Sequence, residues 1–214
     1  MRKWMTGTIA LVTVCMLFSL SACGTGGGKT AFDRSTIQIH KDGSVRATEV
    51  DILDKDIYSF DELKEMAQET VDDYNSKGNG KVTLESVEML DEAAGSVRMV
   101  LDYESTADYV SFNTPISNAT VLFFGTVSDA MAAGYQMVDM WEADPSKADP
   151  ELVTRQEIEA MGDKHILITS EKDQVCVPEK IAYIGDNAAL TVDEKQKQAI
   201  LEDSSTGLFY LLLK

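Results

Sequence analysis

Ile9 to Leu20 form a twelve-residue apolar run broken only by Thr13 and Ser19, and this run decides how much of the chain is available to fold. It follows a basic start at Arg2 and Lys3 and ends at Leu20-Ser21-Ala22-Cys23. A membrane-spanning helix needs about 20 apolar residues, so a run this short does not stay behind as a span. A charged beginning, a short apolar core and small residues at its end lay out a secretory signal. The polypeptide expected to fold therefore lies beyond residue 22.

The ending Leu20-Ser21-Ala22-Cys23 resembles the signal of bacterial lipoproteins. The resemblance implies that the Cys23 sulfur receives a diacylglycerol, that the chain is cut before Cys23, and that this residue becomes the lipid-bearing N-terminus. A thiol suits the role because its thiolate is the nucleophile that takes the lipid. Each buried CH₂ contributes about 0.8 kcal/mol, and two acyl chains hold firmly where one holds only marginally. The partner so implied is the membrane, through lipid on Cys23, with the protein on its extracytoplasmic face. An ordinary secretory signal with an incidental Cys23 is the alternative, and the tether that follows at once argues against it.

Residues 1–22 read as the lipoprotein signal peptide, residues 23–34 as a flexible glycine-rich tether, and residues 35–214 as a single α+β domain. A domain of about 180 residues is long enough to bury a proper core. The charge of the 214-residue chain is −17, from 19 basic and 36 acidic residues. Loss of Arg2 and Lys3 takes the mature chain to −19. Such a body is repelled by anionic headgroups and wall polyanions, and nucleic acid is excluded as a partner on the same ground. Of Cys15, Cys23 and Cys176, only Cys176 is left to remain a thiol, so no disulfide framework is expected.

Within the domain, Thr36 to His40 alternates, Lys41-Asp42-Gly43 turns, and Val45 to Leu53 resumes, the pattern of a hairpin around an Asp-Gly pair. The clearest helix comes next. Ser59 and Glu62 form a capping box, with Tyr58 placed to staple against Leu63. Leu63, Met66, Ala67, Thr70, Val71 and Tyr74 share one face up to a stop at Gly78. Lys81 to Leu90 and Val97 to Tyr103 read as an antiparallel pair. The phase change from Val82 and Leu84 to Val87 and Met89 predicts a bulge near Glu85-Ser86.

Short helices are expected over Thr106 to Phe112, over Ser128 to Ala133, and from Thr154 and Glu157 to Met161. Strands are expected at Thr120 to Gly125, Tyr135 to Trp141, His165 to Thr169, Gln174 to Val177, Lys180 to Ile184 and Gly207 to Leu213. Glu142 to Pro150, with two Asp-Pro pairs, is an exposed loop. Residues 186–203 are open, with Lys195 to Leu201 readable as helix or strand. Together these elements predict an α+β fold: an antiparallel sheet built from hairpins, with one long and several short helices mainly on one face.

Ile39 to Ser44, Asp54 to Tyr58, the helix from Phe60 to Asn75, and Val177 to Ile184 are similar to a group of uncharacterised lipoproteins of Gram-positive anaerobes. That similarity implies export and a shared fold over most of the mature chain. It implies no activity and no catalytic residues.

The residues that carry chemistry form no motif. His40 and His165 stand in no zinc-ligand spacing. Gly125-Thr126-Val127-Ser128-Asp129 lacks the closing glycine of a nucleophile elbow, and Ser128 reads better as a helix cap. Asn75 to Gly80 has Lys77 where a calcium loop needs a ligand, and Ser86 where it needs a bidentate acid. Asp51, Asp54, Asp56, Asp61 and Glu62 read as a solvated edge at a helix N-terminus rather than a divalent-ion site. Cys176, between Val175 and Val177, reads as a buried structural thiol. Tyr103, Tyr109, Phe112, Tyr135 and Trp141 are candidates for a sugar or peptide groove, with aromatic core the commoner explanation.

No catalytic, cofactor or metal residues are therefore assigned, and Cys23 lipidation is the one modification site. The expected function is a lipid-anchored, non-catalytic binding module with a protein or cell-wall ligand. The alternative is an envelope hydrolase built from scattered carboxylates or from Cys176, and a deep pocket holding two convergent carboxylates, or a His within hydrogen-bond reach of Cys176, would favour it.

Overall fold

A computed structural model describes residues 32–53, 59–78, 80–114 and 120–214. The signal, Cys23, most of the tether, Asp54, Asp56, Tyr58 and Asn79 lie outside the described residues.

In chain order the strands are β1 (Thr36–Ile39), β2 (Val45–Ile52), β3 (Val82–Asp91), β4 (Ser96–Tyr103), β5 (Leu122–Thr126), β6 (Met140–Glu142) and β7 (Leu152–Val153). They continue as β8 (His165–Thr169), β9 (Gln174–Cys176), β10 (Ile181–Gly185), β11 (Ala188–Val192), β12 (Gln198–Ser204) and β13 (Phe209–Leu213). The helices are α1 (Phe60–Ser76), α2 (Thr106–Asn113), α3 (Val127–Ala132) and α4 (Arg155–Ala160).

The fold is α+β, as expected, and its strands divide between two sheets. The first runs β11-β12-β9-β1-β2-β4-β3 and the second β5-β8-β13-β10-β6-β7. Pairing is antiparallel except where β1 lies parallel to β9. The open segment 186–203 is the hairpin of β11 and β12.

Burial explains the division. Ile37, Val45, Ala47, Leu101 and Val175 of the first sheet share one core with Leu167, Phe209, Leu211 and Leu213 of the second. The intervening residues Ile166, Ile168, Tyr210 and Leu212 form a second core with Val127 and Ala130 of α3 and Ile158 of α4. The second sheet is thus covered on both faces, which is why β13 reads Phe-Tyr-Leu-Leu-Leu without alternation.

Local signals behave as their chemistry requires. Ser59 and Glu62 cap α1 reciprocally, and Gly78 follows it at φ 68°. Of the α1 stripe only Val71 is buried, and Met66 is exposed. The Asn75 side chain clamps Val82 of β3, donating to its carbonyl at 2.8 Å and accepting from its N–H at 2.9 Å. The expected bulge lies between Leu84 and Ser86, with a second between Met89 and Asp91. One expectation is corrected: Thr126, not Ser128, caps α3. Thr126 Oγ1 accepts from the Asp129 N–H at 3.1 Å and donates to its carboxylate at 2.6 Å, starting the helix earlier. Phe32, next to the domain boundary, is buried, and its carbonyl accepts from Arg98.

Candidate functional site

Two surfaces carry chemistry. The first is built on β2, where alternate residues share a side. Val45 and Ala47 belong to the inner core, so Glu49 points toward the same layer, opposite Met99 of β4. The turn from β8 to β9, where the chain changes sheets, brings Glu171 and Asp173 to the same rim. From α2 comes Tyr109, whose ring meets Tyr103 edge-on at 5.1 Å. Tyr103 in turn meets Phe112 at 5.7 Å, and Phe112 meets Tyr74 of α1 at 5.2 Å.

The electrostatics follow from that placement. Burial first, and then the charges of Asp173, Glu171 and Asp51, push the Glu49 carboxyl up to about 7. Burial raises Glu171 as well, with Asp173 adding to it. Asp173 is raised by burial against the opposing charge of Arg34. Burial also pushes the Tyr109 phenol far up, and Glu171 and Glu49 push the same way. The Glu49 carboxyl in this state can hold a proton near neutrality.

The second surface is the β6–β7 hairpin at the edge of the second sheet. Met140 and Val153, a cross-strand pair, are buried under the helices. On the opposite face Ile184, Trp141 and Leu152 lie in one cross-strand row. Ile184 packs against the inner core, whereas Trp141 is 40% and Leu152 is 42% exposed. The row emerges from the core into water. Beside it Glu142 is bridged by Lys147 at 2.6 Å, and the loop adds Asp144, Asp149 and Glu151.

Other residues weighed from the sequence fall elsewhere. Cys176 is 1% exposed in β9, between β1 and β12. His165 Nδ1 sits 3.1 Å from Glu179 and its ring tilts against Phe124. Asp61 and Glu62 occupy the first turn of α1, where Glu62 serves the cap. Tyr103, Tyr109 and Phe112 are core residues, and Tyr135 packs beside the second core. Of the five aromatic candidates, Trp141 is the one that faces water. Among the described residues no three His, Cys, Asp or Glu side chains group closely enough to hold a metal ion. The Glu49–Glu171–Asp173 grouping was not foreseen. Its one sequence signal is an acid in the inward register of β2, two residues after Ala47.

These features define an α+β domain of two stacked sheets carrying an acidic rim and an exposed apolar edge. The chain matches no known protein family, no curated protein and no solved structure.

Proposed function

We propose that this protein is a lipoprotein of the cell envelope, held on the outer face of the membrane by lipid on Cys23, and that its domain is a non-catalytic binding module. The ligand is a polypeptide segment, neutral or basic, that docks on Trp141 and Leu152. One observation carries the reading: two large apolar side chains stand exposed as a cross-strand pair on an edge hairpin whose other face is buried. Exposed aromatics of this kind are enriched in protein interfaces. An edge strand adds unpaired main-chain groups, which suit a peptide better than a sugar. The acids of the neighbouring loop and the overall charge of −17 disfavour an acidic ligand. A hydrolase using Cys176 loses support, because that thiol is buried inside a sheet.

The test is photo-crosslinking in the producing cell. A photoreactive residue at Leu152 is expected to give discrete protein adducts that Trp141→Ala abolishes, and the same residue at exposed Lys64 none. Fatty-acid labelling is expected in the wild type and absent in Cys23→Ser. Adducts to glycan alone, or equal adducts from both positions, would overturn the ligand assignment, and unchanged labelling of Cys23→Ser the anchor.

A further inference from the structure

The two sheets end unevenly on one side of the molecule, and the mismatch bears on how a polypeptide is held. β10 of the second sheet runs into β11 of the first through Asp186 and Asn187 alone. At this corner the Asp186 N–H donates to the Asp139 carbonyl, just before β6, at 3.0 Å. At the other end the Ile181 N–H, where β10 begins, donates to the Gln196 carbonyl, in the turn after β11, at 2.6 Å. Tied at both ends, β11 lies across the core from β10, and Ile184, Leu190 and Val192 pack on the same inner cluster. The return from β12 to β13 uses the same corner, where Asn187 Nδ2 donates to the Leu208 carbonyl at 3.0 Å. β11 is the last strand of its sheet, whereas β6 and β7 continue beyond β10. The second sheet therefore overhangs the first, and Trp141 and Leu152 stand on the overhang in the inward-facing row of Ile184. Neighbouring strands lie about 4.8 Å apart, so a strand added to β11 would cover β6 and Trp141, with Leu152 beside it.

A second observation concerns the edge of β11 itself. The Asp193 N–H donates to the Gln198 carbonyl at 3.0 Å, so by antiparallel alternation the main-chain groups of Val192 and Leu190 point away from β12. Leu201, opposite Leu190, turns its own N–H to the Asp173 carbonyl on the far side, as the same alternation requires. The register shift in this pair leaves Glu202 as the extra residue of β12, and β11 stays regular. Ala188-Ala189-Leu190-Thr191-Val192 carries no charge and no proline. Edge strands are ordinarily guarded against pairing. The other edges here are: β3 carries Glu85, Glu88 and Asp91 with two register shifts, β5 lies against α2 and α3, and β7 is two residues long.

We propose that the polypeptide ligand binds as an added β-strand along Leu190 and Val192, with its inward side chains seated on Trp141 and Leu152. This rests on the reading of the Trp141 face as a polypeptide site, and it supplies the mode of binding. Alternate apolar residues suit the inward side of such a strand, and polar ones the outward side, where Ala189 and Thr191 are exposed. The acids of the β6–β7 loop and the charge of −17 favour Lys or Arg in the ligand and disfavour a second copy of this chain.

Selection from a displayed library of short linear peptides on the full-length protein in detergent tests this. The recovered peptides are expected to alternate apolar and polar residues, and the tightest of them, made synthetically, is the probe. Its binding is expected to slow hydrogen exchange at the Leu190 and Val192 amides about tenfold or more. Trp141→Ala is expected to weaken it about tenfold. Val192→Pro, which removes an edge donor without breaking a bond to β12, is expected to weaken it about tenfold as well. Thermal unfolding is checked for both variants. Recovery of no peptide, or a probe indifferent to Trp141→Ala, would overturn this mode together with the Trp141 reading. A probe that needs Trp141 but leaves exchange at Leu190 and Val192 unchanged would overturn strand addition alone. Sedimentation showing a dimer with those amides protected before any probe is added would overturn the separate ligand in favour of a second copy.

Discussion

Replacing Glu49 with Gln removes a charge from the core side of β2 while keeping the size of the side chain. The wild-type carboxyl titrates in the folded domain at about 7, against an ordinary 4.5. Folding therefore favours the protonated form. The stabilisation that proton brings is complete below about 4.5 and is lost as the pH rises through about 7. The distance between those values, at about 1.4 kcal/mol per pH unit, sets an upper limit of roughly 3 kcal/mol. Glu49 is only partly buried, so solvent screening reduces the expected effect to ~2 kcal/mol. Gln stays neutral throughout. The variant should match the wild type at about pH 5 and exceed its stability by ~2 kcal/mol at about pH 8. In a domain of this size that is a rise in Tm of roughly 4–8 °C. Urea unfolding followed by circular dichroism at both pH values measures it, provided the slope with denaturant is unchanged. Parallel stability curves for the two proteins, or a variant weaker at the higher pH, would refute the assignment of Glu49 as a buried, repelled acid.

Two further outcomes follow from packing. Gly80 has φ 142°, and a Cβ there would lie 1.7 Å from Asp108 Oδ1, a carboxylate held by the Ser105 hydroxyl at 2.7 Å. Gly80→Ala is expected to cost about 2 kcal/mol, with Asp108→Ala restoring part of the loss in a double-mutant cycle; additive losses would show that the two positions do not meet. Leu211 is fully buried between the sheets, so Leu211→Ala should lower unfolding free energy by about 2–5 kcal/mol, and a loss under about 1 kcal/mol would mean the sheets do not pack there.

Elements whose cause is local were legible in the chain. The capping boxes at Ser59 and Thr154, the Asp-Gly hairpin and the bulge near Ser86 each depend on residues a few positions apart. The α3 cap was misplaced because Thr126 and Ser128 are both competent caps, and the acid at 129 selects Thr126 by its three-residue spacing. The parallel pairing of β1 with β9 joins residues far apart in sequence, and no periodicity announces it. The same holds for the split into two sheets. The run in β13 showed burial on both sides but not what would cover each.

The acidic rim was hidden for the same reason, and the reason bears on its meaning. Glu171 and Asp173, on either side of an exposed Lys172, look like any solvated turn. Glu49 looks like the polar end of an alternating strand. Only the crossover from one sheet to the other sets them together, and the result works against folding, because three acids repel one another beside buried rings. A neutral side chain at 49 would serve the fold better at neutral pH. If Glu49→Gln gains stability at neutral pH, the rim is a strained corner of the fold, and the Trp141 face stands untouched by the result.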